Sequence, residues 1–200
     1  MQPIRLGVDR EAVERYLRSR SLRDFALFRV GVYTGRRIGD LLKLRVGDVA
    51  AITDRGALRI RDRLVLRESK TSKEADITLH GKARSALSKY IKARVAGAPS
   101  KGALLLQPLF PSARRGKDGE LRAITRQRAG QILRRAAKAC GLDDRIGCHS
   151  MRKTFGYLLH GEGIPLTVIG SALNHANPAT TRRYIGLQRD DIDDAINALP

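Results

Sequence analysis

The stretch of the chain from residue 49 to residue 79 constrains the fold most strongly. It holds three short runs typical of β-strands, 49–52, 57–66 and 75–79, and turn-forming residues at 54–56 and 69–73 separate them. Runs of this length divided by tight turns favour antiparallel pairing. Helical periodicity flanks the stretch on both sides. We therefore predict an α+β fold, mainly helical, with a small three-stranded antiparallel sheet.

The predicted helices carry apolar residues at helical spacing. Residues 25–33 and 82–95 have the length of buried helices, and Thr34-Gly35 ends the first of them. Thr125 is predicted to cap a helix that runs to about residue 139. Further helices are expected at 37–44 and 149–159 and after Pro165, Asn177 and Gln188, whereas 97–123, rich in Pro, Gly, Ser and Arg, is predicted to be a loop around the apolar piece 104–110.

The charge of the chain is strongly positive. Lys and Arg number 39 against 20 Asp and Glu, a formal net charge of +19, and the basic residues are spread along the sequence. Such a balance predicts a polyanionic partner. No apolar stretch approaches the roughly 18 residues that span a membrane, and aromatic residues, at 4%, are too few for a platform that stacks single strands. Nucleic acid is therefore the expected class of partner, and a membrane is not.

The cysteines and histidines predict neither a disulfide framework nor a metal site. Cys140 and Cys148 are the two cysteines, and their spacing suits neither purpose. The histidines lack the H-E-x-x-H pattern and the carboxylate cluster of a metal-dependent hydrolase. The N-terminal residues contain no apolar segment of a signal peptide. We expect a cytoplasmic protein with reduced thiols and no metal site.

Four separated pieces of sequence carry the chemistry: TGRRIGDLLKLRVGDV at 34–49, ESKTSK at 68–73, HSMRKTFG at 149–156 and LNHANPATTRRYI at 173–185. In content, order and spacing they resemble the motifs of the tyrosine recombinase, or phage integrase, family, and the similarity spans nearly all of residues 25–190. The resemblance implies a site-specific recombinase that cleaves and rejoins DNA through a 3′-phosphotyrosyl intermediate. Integration, excision, inversion and resolution all stay open. It also implies a tetramer on double-stranded DNA in a prokaryotic cell, nucleoid-associated when bound, with no cofactor and with a place for accessory DNA-bending proteins.

Cleavage of a phosphodiester by a side chain needs an oxygen nucleophile and cations for the charge that develops on the phosphate. Arg37 and Arg152 can each offer a planar fork of donors to the nonbridging oxygens. The resemblance makes Tyr184, nine positions after His175, the nucleophile. A phenol with a pKa near 10 needs a proton acceptor, and the resemblance implies His149 for that role and His175 as a further donor to the phosphate.

The acid that protonates the leaving 5′-hydroxyl is less closely specified by the sequence. The family gives this role to a lysine on a β-hairpin, which is Lys70 here, but Lys73 lies three residues away on the same predicted turn. Asp40 matches the acidic position of the first motif and is expected to orient Arg37 through a salt bridge, although an exposed ion pair would have the same sequence. Asn174 replaces the usual glycine before the second histidine.

Contacts with the DNA backbone are expected from basic residues around the catalytic groups. If they bind phosphates, affinity should fall steeply with salt. The candidates are Arg36, Lys73, Arg114, Arg115, Lys117, Arg126, Arg128 and Lys153.

The domain organisation is expected to be that of a minimal, catalytic-domain-only recombinase. Residues 1–20 are predicted to be a short helical arm, 21–187 the catalytic domain and 188–200 a C-terminal helix. That helix either packs against its own core or is exchanged between subunits. Two other functions stay open: a DNA-binding regulator that kept the fold and lost the chemistry, and a type IB topoisomerase, which uses similar catalytic residues. Intact candidates for every catalytic position, and the short chain, favour the recombinase.

Overall fold

The structure, a computed structural model, describes residues 1–69, 72–142, 145–175, 177–185 and 197. The fold class is confirmed as α+β and mainly helical, with small antiparallel sheets. The elements in chain order are α1 Gly7–Arg20, α2 Leu22–Thr34, α3 Ile38–Leu41, α4 Val46–Val49, β1 Ala50–Ile52, β2 Leu58–Ile60, β3 Arg63–Arg67, β4 Glu74–Thr78, α5 Gly81–Val95, α6 Lys101–Leu106, β5 Pro111–Arg115, β6 Leu121–Ala123, α7 Arg126–Ala139, α8 Cys148–Gly161, α9 Leu166–Ala172 and α10 Pro178–Ile185.

Helix α2 lies at the centre of the main core and packs against α1, α5 and α8. Ser21 caps its first turn by accepting a hydrogen bond from the backbone N–H of Asp24. The helix buries apolar side chains on several faces, including Phe25 and Phe28, as expected for a helix surrounded by others. It ends at Gly35, whose φ of 63° lies in the left-handed region. The TG motif is therefore the end of the central core helix.

The predicted three-stranded sheet is wrong in one respect. Residues 57–66 do not form one strand: β1 pairs with β2 and β3 pairs with β4, in two separate two-stranded sheets. The chain bends at Arg61 and Asp62. The Arg61 N–H donates to the carbonyl of Val49, the residue before β1, and the Asp62 carbonyl accepts from the N–H of Leu79, the residue after β4. The strand-like alternation continues through this bend, so the sequence pattern gives no sign of it.

Residues 97–123 are more ordered than the predicted loop. Ser100 caps α6 by accepting from the Ala103 N–H, and the β5–β6 hairpin follows. The apolar piece between them is core, because Leu104, Leu109 and Phe110 are all fully buried. Composition alone predicted a loop here, and burial of these apolar side chains outweighed it.

A second, smaller apolar cluster joins α8, α9 and α10. Ile169, Leu173 and Ile185 are its buried members, and Phe155 and Tyr184 pack against it. Pro165 precedes α9, and α10 begins at Pro178, as predicted. Thr125 caps α7 as predicted, accepting from the Arg128 N–H. The small cluster holds the helix that carries Tyr184 against the helix that carries Arg152.

Some sequence predictions fall outside the described residues. Lys70 is one of them, and the predicted C-terminal helix, residues 188–200, is another apart from residue 197. In the part of the chain that the structure describes, no helix combines the length and apolar character needed to cross a bilayer.

Candidate active site

Arg37 lies in the extended link between α2 and α3 and is partly exposed. Its Nη1 donates to Oε2 of Glu68 at 2.8 Å, and the side chain is 23% exposed. Glu68 follows β3 directly, and its own side chain is fully buried. A charge-assisted bond to a buried carboxylate restricts the guanidinium while part of its donor fork faces outward. The predicted phosphate-binding arginine is thus held in place before any ligand is bound.

Arg152 lies one turn into α8 and is almost fully buried. Its Nη1 donates to the Gly35 carbonyl at 2.6 Å, and its Nη2 donates to the Leu173 carbonyl. These two acceptors belong to the turn that precedes Arg37 and to the end of α9. Arg152 therefore connects the segment that carries Arg37 to the segment that carries His175. Its guanidinium also lies 6.0 Å from the centroid of the Tyr184 ring.

His149 and His175 lie in the same positive environment. Burial is the main cause that lowers the pKa of each ring, and Arg152 and Arg37 lower both further. Because the pKa of each ring lies below the ordinary value of about 6.5, both rings are neutral at pH 7. A neutral imidazole can accept a proton on one nitrogen and donate one from the other. The two histidines can therefore serve as acceptor and donor without a change of charge beforehand.

The ring of His175 is held by the hydroxyl group of a residue that was not among the predicted site residues. Nδ1 of His175 lies 3.1 Å from Oγ1 of Thr181, a fully buried side chain on α10. If the hydroxyl donates to Nδ1, the proton of the neutral ring is on Nε2. The position of Thr181, three residues before Tyr184, places it on the same face of α10. This spacing is the sequence feature from which a role for Thr181 in the site could have been predicted.

Tyr184 is half-buried on α10, beside both His175 and the cations. Its ring meets that of His175 edge to face with centroids 4.9 Å apart, and the Nζ of Lys153 lies 5.4 Å from the ring centroid. Burial raises the pKa of the phenol, while Arg152 and Arg37 act in the opposite direction. The phenol is therefore protonated at neutral pH, and the surrounding cations are placed to stabilise the phenolate when a base removes its proton.

The hairpin that precedes β4 approaches the site through its described residues. The Glu68 N–H donates to the Lys73 carbonyl at 2.9 Å and closes the turn. Ser69 donates its N–H and its hydroxyl to Oδ1 of Asp40, at 3.0 and 2.7 Å. Both residues before Lys70 are thus bonded to the Arg37 region. Lys73 is exposed.

The structure corrects the predicted position of Arg36 and the predicted partner of Asp40. Arg36 is 4% exposed, and its Nη1 donates to Oε1 of Glu68 at 2.9 Å, so it does not face DNA. Asp40 is also buried and bonds to Ser69, and the carboxylate that pairs with Arg37 is that of Glu68. In both cases the reason is Glu68, whose carboxylate attracts both guanidiniums. The sequence feature that could have identified Glu68 is its position near the end of a predicted strand, two residues before the candidate catalytic Lys70.

The other predicted DNA contacts are exposed or partly exposed. Arg126, in the first turn of α7, places Nη2 3.4 Å from Nε2 of His149 and so adjoins the site directly. Lys153 is partly buried beside Tyr184. The exposed basic residues of the β5–β6 hairpin and the start of α7 are Arg114, Arg115, Lys117 and Arg128.

The two thiols and the potential metal ligands form no second site among the residues that the structure describes. Cys148 is buried, which raises the pKa of its thiol, and Cys140 is half-buried. Within the described residues, no three side chains of His, Cys, Asp or Glu come close enough to hold a metal ion.

Known proteins resemble this chain over most of its length. Residues 10–190 match the model of the phage integrase family. The probable integrase/recombinase YoeC of Bacillus subtilis is 35% identical over 190 residues, which are 95% of this chain and 92% of that protein. Tyrosine recombinase XerD of Caulobacter vibrioides is 34% identical over 192 residues, 92% of this chain and 58% of the relative. The chain thus spans nearly all of YoeC and little more than half of XerD.

Solved structures show the same fold at lower sequence identity. The crystal structure of XerA recombinase superposes with a TM-score of 0.73 at 22% identity and covers 98% of this chain and 65% of that one. A λ integrase dimer bound to a COC′ core site superposes with a TM-score of 0.63 at 19% identity, over 94% of this chain and 50% of that one. The family resemblance read from the four motifs is confirmed.

Proposed function

Because the chain belongs to the phage integrase family, we propose that it is a tyrosine-type recombinase that cleaves and rejoins double-stranded DNA at specific sites. Tyr184 attacks the scissile phosphate, the 5′-hydroxyl leaves, and a 3′-phosphotyrosyl bond keeps the energy of the phosphodiester. A 5′-hydroxyl from a partner strand then reverses the reaction. The scheme uses neither ATP nor a metal ion.

We assign the roles in this reaction by chemistry. Arg37 and Arg152 stabilise the negative charge that develops on the nonbridging oxygens. Neutral His149 accepts the phenolic proton, and His175 donates a hydrogen bond to the phosphate. Lys70 protonates the leaving oxygen, with Lys73 as the alternative. Asp40 supports the turn that precedes β4 by accepting a hydrogen bond from Ser69, in place of the salt bridge with Arg37 expected from the sequence.

One observation carries the proposal: side chains from three segments that are distant in sequence, those of Arg37, Arg152 and His175, converge on Tyr184. His175 contacts its ring, Arg152 lies 6.0 Å from it, and Arg37 and Arg152 both act on its pKa. A regulator that had lost the chemistry would have no need of this arrangement. A type IB topoisomerase would have similar groups, so the distinction from it requires an experiment.

The test is covalent trapping on nicked duplexes, in which the cleaved strand end diffuses away and the adduct accumulates. A library of nicked duplexes with randomised arms can supply the target, because the sequences that become attached to protein are recovered and read. The recombinase is expected to form an adduct that Tyr184→Phe abolishes, and to join the strand to a partner duplex. A DNA-binding regulator gives no adduct, and a topoisomerase gives one without strand exchange.

We further propose that four protomers act together on two duplexes, in the cytoplasm where such DNA is found. Residues 188–200 are the segment proposed to link neighbouring subunits, with accessory DNA-bending proteins as further partners. Deletion of these residues should abolish strand exchange and leave binding of one protomer to a half-site unchanged, as measured by gel shift. Unchanged recombination would contradict the link.

A further inference from the structure

A buried ion cluster lies behind Arg37. Oε1 of Glu68 accepts from Arg36 at 2.9 Å, and Oε2 accepts from Arg37 at 2.8 Å. The exposed fractions of the three side chains are 4% for Arg36, 0% for Glu68 and 23% for Arg37. One carboxylate thus joins a buried cation to a cation that reaches the surface of the site.

The negative charge of Glu68 lies where it disfavours binding of a phosphate. A carboxylate that holds Arg37 also repels the phosphate, and an isolated Glu68–Arg37 pair would be formally neutral. The low dielectric of a buried site strengthens this repulsion. Arg36 supplies a second positive charge on the far side of the carboxylate, so that the cluster of three keeps a formal charge of +1 towards the DNA.

Arg36 is fixed where this compensation is needed. Its Nε donates to the Thr34 carbonyl at 3.1 Å, and its Nη2 donates to the Ala172 carbonyl at the end of α9. Main-chain acceptors on two elements hold its guanidinium in one orientation. The Arg36 side chain is only 4% exposed, whereas that of its neighbour in sequence, Arg37, is 23% exposed.

We propose that Arg36 is a positioning residue: it is the buried counter-ion that lets Glu68 hold Arg37 in place without cancelling the charge that Arg37 presents to the scissile phosphate. This inference rests on the proposed function, because it assigns a role within phosphate binding. It predicts that removal of Arg36 slows DNA cleavage because the charge of the Glu68 carboxylate is then no longer balanced by Arg36, and not only because the hydrogen bonds of the guanidinium are lost.

The test is a double-mutant cycle with Arg36→Met and Glu68→Gln, read as the rate of adduct formation on the nicked target. Arg36→Met should slow the reaction on the order of 10²-fold, comparable to the loss of a group that stabilises transition-state charge. Adding Glu68→Gln removes the uncompensated anion and should restore the rate to within about tenfold of wild type. A double variant as slow as Arg36→Met, or slower, overturns the proposal.

A substrate with sulfur in place of the bridging 5′-oxygen gives a second reading. A thiol has a pKa of roughly 8.5, so a thiolate leaves without a general acid. If Arg36 acts on the phosphate, Arg36→Met stays slow on this substrate. If Arg36→Met instead cleaves this substrate at the wild-type rate, the variant impairs only the general acid, Lys70 or Lys73. That result would also overturn the proposal.

Folding is controlled with a second Arg–Glu ion pair. Arg29 and Glu14 form a partly enclosed pair at 2.7 Å, with 21% and 10% exposure, and Arg29→Met should change the melting temperature while leaving adduct formation unchanged. If Arg36→Met does not fold, Arg36→Lys replaces it: a retained cation should keep the rate within about tenfold of wild type, and a loss on the order of 10²-fold would refute the charge role. Absence of any wild-type adduct would instead refute the proposed function itself.

Discussion

In the proposed mechanism, His149 is the residue whose charge state most directly determines the pH range in which cleavage can occur. Burial lowers the pKa of its ring first, and Arg126, Arg152, Lys153 and Arg37 lower it further in that order. A ring that is already protonated cannot accept the phenolic proton. The rate of cleavage should therefore fall as pH decreases through the lowered pKa, and the enzyme should stay active at a pH where an ordinary imidazole is half protonated.

Replacing Arg126 tests this electrostatic account. Arg126→Gln removes the charge that acts most strongly on the ring, so the pKa of His149 should rise towards about 6.5, and the acid limb of the pH–rate profile should move to higher pH. Single-turnover adduct formation across the acid range measures it. Arg128→Gln, on the same exposed turn of α7, is the control and should leave the limb in place. A limb that stays fixed or moves to lower pH in Arg126→Gln contradicts the account.

The same pKa shift links His149 to stability. Its pKa is lower folded than unfolded, so as pH falls the unfolded chain takes up the proton first. The stabilising contribution is complete above the unfolded value of about 6.5 and is lost as pH falls towards the folded pKa.

Two adjacent arginines show how far sequence reasoning extends at this scale. Motif position predicted a phosphate contact for Arg37, and basic character near the catalytic groups predicted a DNA contact for Arg36, but the structure buries Arg36 against Glu68. Burial of a guanidinium depends on acceptors that are remote in sequence, here the carbonyl of Ala172 as well as Glu68. A sequence pattern specifies neither acceptor, so residue type and spacing identified the candidate groups but not which of them face the ligand.

At the scale of elements, the contact between α2 and α8 depends on the absence of a side chain at Gly35. A Cβ there would lie 2.3 Å from the Phe155 ring, and the φ of 63° is itself unfavourable for other residues. The carbonyl of Gly35 also accepts from Arg152. A change at this position should therefore disturb both packing and the site.

Gly35→Ala should lower the free energy of unfolding by roughly 2–4 kcal/mol, from backbone strain and overpacking together. Urea denaturation measures this loss as a shift in midpoint. Gly39→Ala is the matched control, because Gly39 lies in α3 with no atom within 4 Å of its would-be Cβ. The control should be stabilised by up to about 1 kcal/mol. Equal effects of the two changes would show that Phe155 does not constrain this turn.

Helices were easier to predict than sheets in this chain. Helices such as α5 and α7 have apolar periodicity and a cap, and both are local signals. The division between β2 and β3 is different: Leu58, Ile60, Leu64 and Leu66 keep the same parity on both sides of the bend. The bend follows from pairing with two different partner strands, which is a tertiary property.

At the scale of the whole molecule, the site is assembled from segments that are distant in sequence. The Arg37 link, the hairpin residue Glu68, the start of α8 and helix α10 meet only when the main core and the small apolar cluster are both formed. The motifs predicted these participants, with the exception of Glu68, through a resemblance to a family. Periodicity and composition could not have predicted their convergence, because no local pattern records contacts between distant segments.

The formal charge of +19 predicts that DNA binding is driven largely by release of counterions. With about six phosphate contacts, affinity for a duplex should fall on the order of 10³-fold between about 50 and 200 mM salt. Replacing Arg114, Arg115 and Lys117 by Gln on the β5–β6 hairpin should reduce the slope of log affinity against log salt by about 1 for each phosphate that the variant no longer binds. Fluorescence anisotropy with a labelled duplex measures both.

The matched control for this slope removes the same charge from α1, through Gln at the exposed Arg15, Arg18 and Arg20. Only residues that touch phosphates release counterions, so the α1 variant should keep the wild-type slope while the hairpin variant does not. A flat salt dependence in the wild type would contradict backbone-driven binding altogether. An equal reduction in both variants would mean that net charge, and not the hairpin surface, governs the interaction, and the DNA contacts would then have to be sought on another face.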